Sequence, residues 1–201
     1  MRAGWPIRPT YGMSETASQI ATCHAVGHDW QPGDAGRPLP GVSVDFVGAE
    51  VDAPMGGGVI RVQGPGVMLG YANATGIPGV GLDRQGFVTG DVGYLDRRGH
   101  LRVLGRRDDV LVIGGENLHP AQVEERLSAC PGVSEVAVVG RLDSLWGHTV
   151  AVFYAGNATT DELARWSRHH LPRAWRPRQF VRLPALPRNA LGKLDRAALR
   201  R

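Results

Sequence analysis

Glycine and proline interrupt the first hundred residues so often that a helix of ordinary length has no room to form. The chain carries 28 glycines and 14 prolines. Glycine adds backbone freedom, whereas proline fixes φ and removes an N–H donor, so both end regular elements rather than extend them. The runs between them suit short strands. Residues 42–47 alternate loosely, 58–62 follow a glycine turn, and 101–104 are short and apolar. Residues 1 to 104 are therefore expected to form strands and turns.

The pattern changes after the charged, glycine-containing stretch at 105–109, where we place a boundary. Residues 110–113 read as a strand. Pro120 suits a helix first turn, and Val123 and Leu127 then share one face until Pro131 and Gly132 end it. Strands are expected at 133–139 and 150–154. Thr160 is expected to cap a helix carrying Leu163 and Trp166 on one face, stopped by Pro172. A last strand at 180–183 and a helical turn or two from Asp195 complete a small α+β module.

An apolar share of 42% and a charged share of 21% are those of a soluble globular chain. No apolar run approaches the roughly 20 residues of a membrane span, and the N-terminus has no signal-peptide core. Cys23 and Cys130 lie far apart, which suggests reduced thiols and a cytoplasmic setting. The net charge of +4 comes from dispersed arginines and suits anionic small ligands. No basic stretch interleaved with aromatics points to nucleic acid, and nothing points to a membrane partner.

Four clusters carry possible chemistry. Residues 10–16 offer an aromatic (Tyr11), a glycine permitting close approach (Gly12), a hydroxyl (Ser14) and a carboxylate (Glu15). These could stack a base, touch a phosphate and hold a divalent metal; a turn capped by Ser and Glu looks the same. Residues 86–91 put Asp91 after a Thr-Gly pair read as a tight turn, suited to a ribose or simply to solvent. Residues 105–120 run from Arg106 through a strand into Gly114, Gly115 and Glu116, as a hinge and channel wall would. The fourth surrounds Lys193, the one lysine against 22 arginines. A compact ammonium on a thin stem fits a narrow site that a planar guanidinium does not; a lysine left by chance on a solvated turn is the plain alternative.

Taken in this order, the clusters resemble the adenylate-forming acyl-CoA synthetase superfamily, over essentially the whole chain. Two aryl-acid branches are most similar. The segment from Tyr11 through Gln19, the turn at 37–42 and Trp146-Gly-His resemble o-succinylbenzoate–CoA ligases. The Gly-Gly-Glu-Asn-Leu-His-Pro run and residues 186–191 resemble 4-chlorobenzoate–CoA ligases equally well.

The resemblance implies an α+β fold. Residues 1–107 would be the β-rich, barrel-like end of a large adenylation domain, and 108–201 a small mobile C-terminal domain. It implies ATP, Mg²⁺ and coenzyme A as ligands and a small carboxylic acid as substrate. Tyr11 would stack on adenine beside Gly12. Ser14, where the family usually has Thr, would sit near the α-phosphate, and Glu15 would hold Mg²⁺. Asp91 would grip the ribose hydroxyls, helped by Arg106, with Asp108 at the hinge. Lys193 would bridge the attacking carboxylate and the α-phosphate. Gly114, Gly115 and Glu116 would line the pantetheine tunnel, and Trp146, Arg176 and Arg178 would contact the nucleotide part of CoA.

The family's Ser/Thr/Gly-rich phosphate loop and most of its acyl pocket have no counterpart here. The expectation is a truncated later part of a ligase, inactive in isolation and completed by a missing N-terminal polypeptide or a homo-oligomer. A non-catalytic module that binds nucleotide, CoA or a partner subunit is the alternative. Cys23, His24 and His28 lack a second pair at metal-ligand spacing. Trp166 is read as core, and His169 and His170 as an exposed helix end.

Overall fold

A computed structural model describes residues 7–24, 30–31, 33–49, 54–71, 82–113, 115–143 and 147–200. The chain forms two compact units, Met1–Asp108 and Asp109–Arg201. The fold class is α+β, dominated by sheets; among the described residues the α-helices all lie in the second unit.

In the first unit β1 (Thr10–Met13), β2 (Ser18–Thr22) and β3 (Arg37–Pro38) make a small antiparallel sheet. The β1/β2 hairpin has no clear sequence signal, because its turn is a 3₁₀ turn at Ser14–Thr16 closed by Ala17 at φ 58°. Gly12 allows the hairpin to close, since a Cβ there would lie 1.9 Å from the Ser18 carbonyl oxygen.

A second sheet is built on β7 (Gly86–Leu95). One edge of β7 pairs with β5 (Gly58–Gln63), itself flanked by β4 (Ser43–Ala49). The other edge takes β6 (Leu82–Asp83) and β8 (Leu101–Arg106). Ile20, Ile60, Val62 and Leu101 form the core.

In the second unit β9 (Leu111–Ile113) and β10 (Glu116–Leu118) form a hairpin joined to a long antiparallel pair, β11 (Val133–Asp143) and β12 (Gly147–Gly156). Strand β13 (Gln179–Arg182) adds to β12 in parallel. Alternation along β11 and β12 divides the core. Val138, Val150, Val152 and Tyr154 face the helices, and Ala137, Val139, Ala151 and Phe153 face the C-terminal segment.

Helix α1 (Pro120–Ser128) starts on its proline and buries Val123 and Leu127 completely. Helix α2 (Thr160–His170) is capped by Thr159, one residue earlier than expected. The Thr159 hydroxyl accepts the Glu162 N–H at 3.3 Å, and Glu162 Oε2 accepts the Thr159 N–H at 2.8 Å. The Thr160 hydroxyl instead lies 3.2 Å from that of Tyr154. Trp166 packs on the core edge, its indole N–H donating to the Arg126 carbonyl at 2.8 Å. A short α3 (Arg196–Arg200) ends the unit.

Burial and capping lead to different costs here. Leu127→Ala should lower stability by about 2–5 kcal/mol, and Thr159→Ala by about 1 kcal/mol. Urea unfolding of the second unit reads both as midpoint shifts. Equal shifts would mean that Leu127 does not close the core as described.

Candidate functional site

Three segments far apart in sequence meet in the first unit. The Tyr11 hydroxyl on β1 donates to Asp91 Oδ2 on β7 at 2.6 Å. Asp91 faces Arg106 across the β7/β8 pair, and Arg106 Nη1 lies 3.6 Å from Asp91 Oδ1. The Asp91 side chain is only 15% exposed, whereas that of Arg106 is 54% exposed. One oxygen of the carboxylate is thus fixed by a neutral phenol, and the other looks toward a cation that solvent reaches. Burial first, and the bond to Asp91 second, push the Tyr11 phenol far above its ordinary range, so it stays a donor.

Asp91 does not follow a tight turn, as expected, but sits in mid-strand. The register with β5 slips between Val88 and Val92, so residues 89–91 bulge opposite Ile60, and Asp91 is aligned by its pairing with Arg106 on β8. Gly90 has another purpose: a Cβ there would come within 2.6 Å of the Arg106 guanidinium. Thr89 Oγ1 accepts the Asp91 N–H at 3.0 Å and fixes the backbone at the site.

Ser14 and Glu15 occupy the turn between β1 and β2, with Ser14 exposed and Glu15 half-buried. The Tyr71 hydroxyl donates to Glu15 Oε1 at 2.5 Å, and the Met68 N–H donates to the Glu15 carbonyl at 2.8 Å. Nothing local in the sequence marks Tyr71. The Tyr71 hydrogen bond holds the Glu15 carboxyl below its usual range, and the same contact pushes the Tyr71 phenol up. An ionised, solvent-reached carboxylate beside a hydroxyl fits Mg²⁺, which binds through one or two carboxylates together with substrate phosphates. No group of three or more metal-ligating side chains occurs among the described residues. Asp108 lies in the 3₁₀ turn Arg107–Asp109, its Oδ2 3.3 Å from Arg106 Nη2.

In the second unit Lys193 rides on a tight loop. Asn189 Oδ1 accepts the N–H groups of Leu191 and Lys193, each at 3.0 Å, and the Asn189 N–H donates to the Lys193 carbonyl at 2.8 Å. Gly192, at φ 75°, lets the loop turn. Lys193 is exposed and makes no ion pair among the described residues.

Glu116, Arg176 and Arg178 share a groove of about 710 Å³ with Ile113, His148 and Arg173. The Arg176 guanidinium is fixed by the end of α2, donating to the carbonyls of Arg168 at 2.8 Å and Leu171 at 3.2 Å. Gly115 makes the β9/β10 turn at φ 88°. Gly114, Trp146 and His28 lie outside the described residues.

Tyr71→Phe should raise the Glu15 carboxyl toward the ordinary glutamate value of about 4.3, followed by carboxyl-carbon NMR. A lowered carboxyl stabilises the fold above its unfolded value, and that contribution fades as pH falls through the folded one. The variant should remove this dependence. An unmoved Glu15 titration would mean that the Tyr71 contact does not hold the carboxylate.

The sequence matches the AMP-binding enzyme family over residues 2–72 and the AMP-binding enzyme C-terminal domain over 122–193. A 2-succinylbenzoate–CoA ligase of Bacillus mycoides is 41% identical over 202 aligned residues, which cover 98% of this chain and 42% of that protein. The chain therefore spans about two-fifths of the length of the curated relatives it matches. Among solved structures, o-succinylbenzoate CoA synthetase from Bacillus subtilis with its acyl-adenylate intermediate aligns at a TM-score of 0.85 and 36% identity, over 98% of this chain and 42% of that one. The same enzyme with ATP and magnesium aligns at 0.83 and 36%, over 95% and 40%.

Proposed function

The chain belongs to the AMP-binding enzyme family, and we propose that it provides nucleotide- and CoA-handling parts of an AMP-forming carboxylic acid–CoA ligase acting on an aryl acid such as o-succinylbenzoate. The observation that carries this reading is the meeting of Tyr11, Asp91 and Arg106, drawn from three separate motifs. In the first half-reaction the carboxylate of the acid attacks the α-phosphate of ATP, and the bond to pyrophosphate breaks. In the second, the CoA thiol attacks the acyl carbon and AMP leaves.

Asp91 accepts the ribose hydroxyls, held in place by the Tyr11 hydroxyl, while the Tyr11 ring stacks on adenine beside Gly12. Arg106 adds a cation that can turn toward the nucleotide. Ser14 donates to the α-phosphate. Glu15 would hold Mg²⁺, which would neutralise charge on the phosphates. Lys193 places its ammonium against the charge that builds up as the carboxylate attacks. Arg176 and Arg178, which line the groove, take the nucleotide part of CoA together with Trp146, and Gly114, Gly115 and Glu116 line the path of its pantetheine arm. Asp108 is the pivot residue between the half-reactions. No helix among the described residues is long and apolar enough to cross a membrane; a cytoplasmic location accords with two buried cysteines far apart in sequence, Cys23 and Cys130.

Calorimetry with AMP tests the nucleotide site in the chain itself. Asp91→Ala should abolish measurable binding. Gly90→Ala should weaken it by displacing Arg106, with little loss of stability because only a flexible side-chain end must move. Full AMP affinity in Asp91→Ala would sink the assignment.

Pyrophosphate release tests the chemistry, in the chain and in the chain joined behind the N-terminal part of the Bacillus mycoides ligase. Lys193→Ala should slow acid-dependent release by roughly 10²–10³-fold. Lys193→Arg should also be strongly impaired, because a forked guanidinium differs in shape and reach. Thioester formation from supplied acyl-AMP should be spared in both. A normal adenylation rate in Lys193→Arg would leave the lone lysine without this role.

A further inference from the structure

The loop that carries Lys193 is anchored by the helix on its C-terminal side. Helix α3 has five residues, too few to persist without tertiary contacts. Two arginines fasten it. Arg196 Nη2 donates to Glu124 Oε1 at 2.5 Å, and Arg200 Nη2 donates to Asp109 Oδ1 at 3.1 Å.

The same Glu124 oxygen also accepts the Val138 N–H at 2.8 Å. Val138 lies on β11, the edge strand of its sheet, so this N–H points away from the ladder. One carboxylate oxygen thereby joins α1, β11 and α3. The Glu124 and Arg196 side chains are 17% and 26% exposed, so the pair is largely shielded from water.

The other end of the loop is fixed as well. Arg188 pairs with Glu135 on β11, bridges to Leu194 across the loop, and donates to the Gly192 carbonyl at 3.0 Å. The Asp195 N–H donates to the Pro187 carbonyl at 2.9 Å, and Asp195 Oδ1 accepts the Ala198 N–H at 3.1 Å at the start of α3. Lys193 thus lies between two arginines, each tied to a carboxylate on the body of the unit, while its own ammonium reaches solvent.

We propose that Glu124, acting through Arg196, is a positioning residue for Lys193: it fixes the start of α3 and, with it, the loop that presents the ammonium. The inference rests on the role given to Lys193 above. A misplacement of about 1 Å at a reacting group can cost about 10²-fold in rate, so the anchor matters well beyond the stability it adds.

The single lysine makes the test direct. Reductive ¹³C-methylation labels Lys193 and the chain's α-amine, which differ in chemical shift. Amide hydrogen exchange then reads the loop, and the Lys193 methyl shift on adding ATP with Mg²⁺ reads the ammonium. Glu124→Gln keeps the size of the side chain and an acceptor for Val138 but loses the charge. It should speed exchange at Leu191 and Lys193 by about tenfold or more, equivalent to about 1.4 kcal/mol of local opening. Exchange in α2 should not change. The ATP-induced shift at Lys193 should shrink while the nucleotide dissociation constant stays the same.

Arg196→Lys keeps a cation but loses the fork. It should fall between the other two proteins, and it serves as the probe if Glu124→Gln does not fold. Unchanged loop exchange with an unchanged Lys193 shift would overturn the proposal. So would exchange rising equally in α2, which would make Glu124 a general structural support. If ATP leaves Lys193 unmoved in the unaltered chain, the role of Lys193 itself fails. The exchange comparison would then still decide whether Glu124 holds the loop.

Discussion

The second unit depends on one pair of strands being buried on both faces. Val138, Val150, Val152 and Tyr154 turn toward α1 and α2, while Ala137, Val139, Ala151 and Phe153 turn the other way. A sheet apolar on both sides needs two covers. The helices form the first; the second is the C-terminal segment, whose Leu186, Leu194 and Leu199 lie against the small and aromatic residues of that face. The Lys193 loop projects between Leu186 and Leu194. Its position follows from hydrophobic burial on either side of it, and the ion pairs at its two ends refine that position.

The first unit achieves proximity by omission. Gly12 lets the hairpin backbone come against Ser18, and Gly90 lets the Arg106 guanidinium lie across β7. A side chain at the first position would push against backbone, and at the second only against the end of a flexible arginine. The first glycine therefore serves the fold and the second serves the site. Asp34 shows how such a sheet handles a buried charge: its carboxylate accepts the Gly36 N–H at 2.9 Å and meets His100 Nδ1 at 3.1 Å and Arg102 Nη1 at 3.5 Å. Buried carboxylates need such partners.

The elements legible in the sequence are those with their own periodicity or punctuation. Pro120 with Val123 and Leu127 marks α1, and Pro172 marks the region just beyond α2. Thr160 reads as the cap of α2, but Glu162 stands three residues after Thr159, so the reciprocal capping box belongs to Thr159, and the Thr160 hydroxyl meets Tyr154 instead. Asp91 reads as a turn residue because Thr-Gly looks like a turn locally. Its place in β7, beside a slip in register with β5 and opposite Arg106 of β8, is set by strands outside the motif. Tyr71 carries no signal, since its relation to Glu15 spans 56 residues. Motif residues can be named from sequence, but the hydrogen bonds that orient them cannot.

The contrast between arginine and lysine at the C-terminus has a physical basis. Arg188, Arg196 and Arg200 each engage a carboxylate, on Glu135, Glu124 and Asp109. A planar guanidinium with five donors is suited to holding one carboxylate while still reaching a backbone carbonyl, as Arg188 does. Lys193, among these cations, makes no ion pair among the described residues, and its loop is built from backbone contacts to Asn189 rather than from the ammonium. An ammonium kept out of the fold's own electrostatics remains free to meet an external anion without first breaking an internal bond. Replacing it with arginine would therefore do more than change its shape: a guanidinium at this tip could reach the same carboxylates that its neighbours use, and would compete for them.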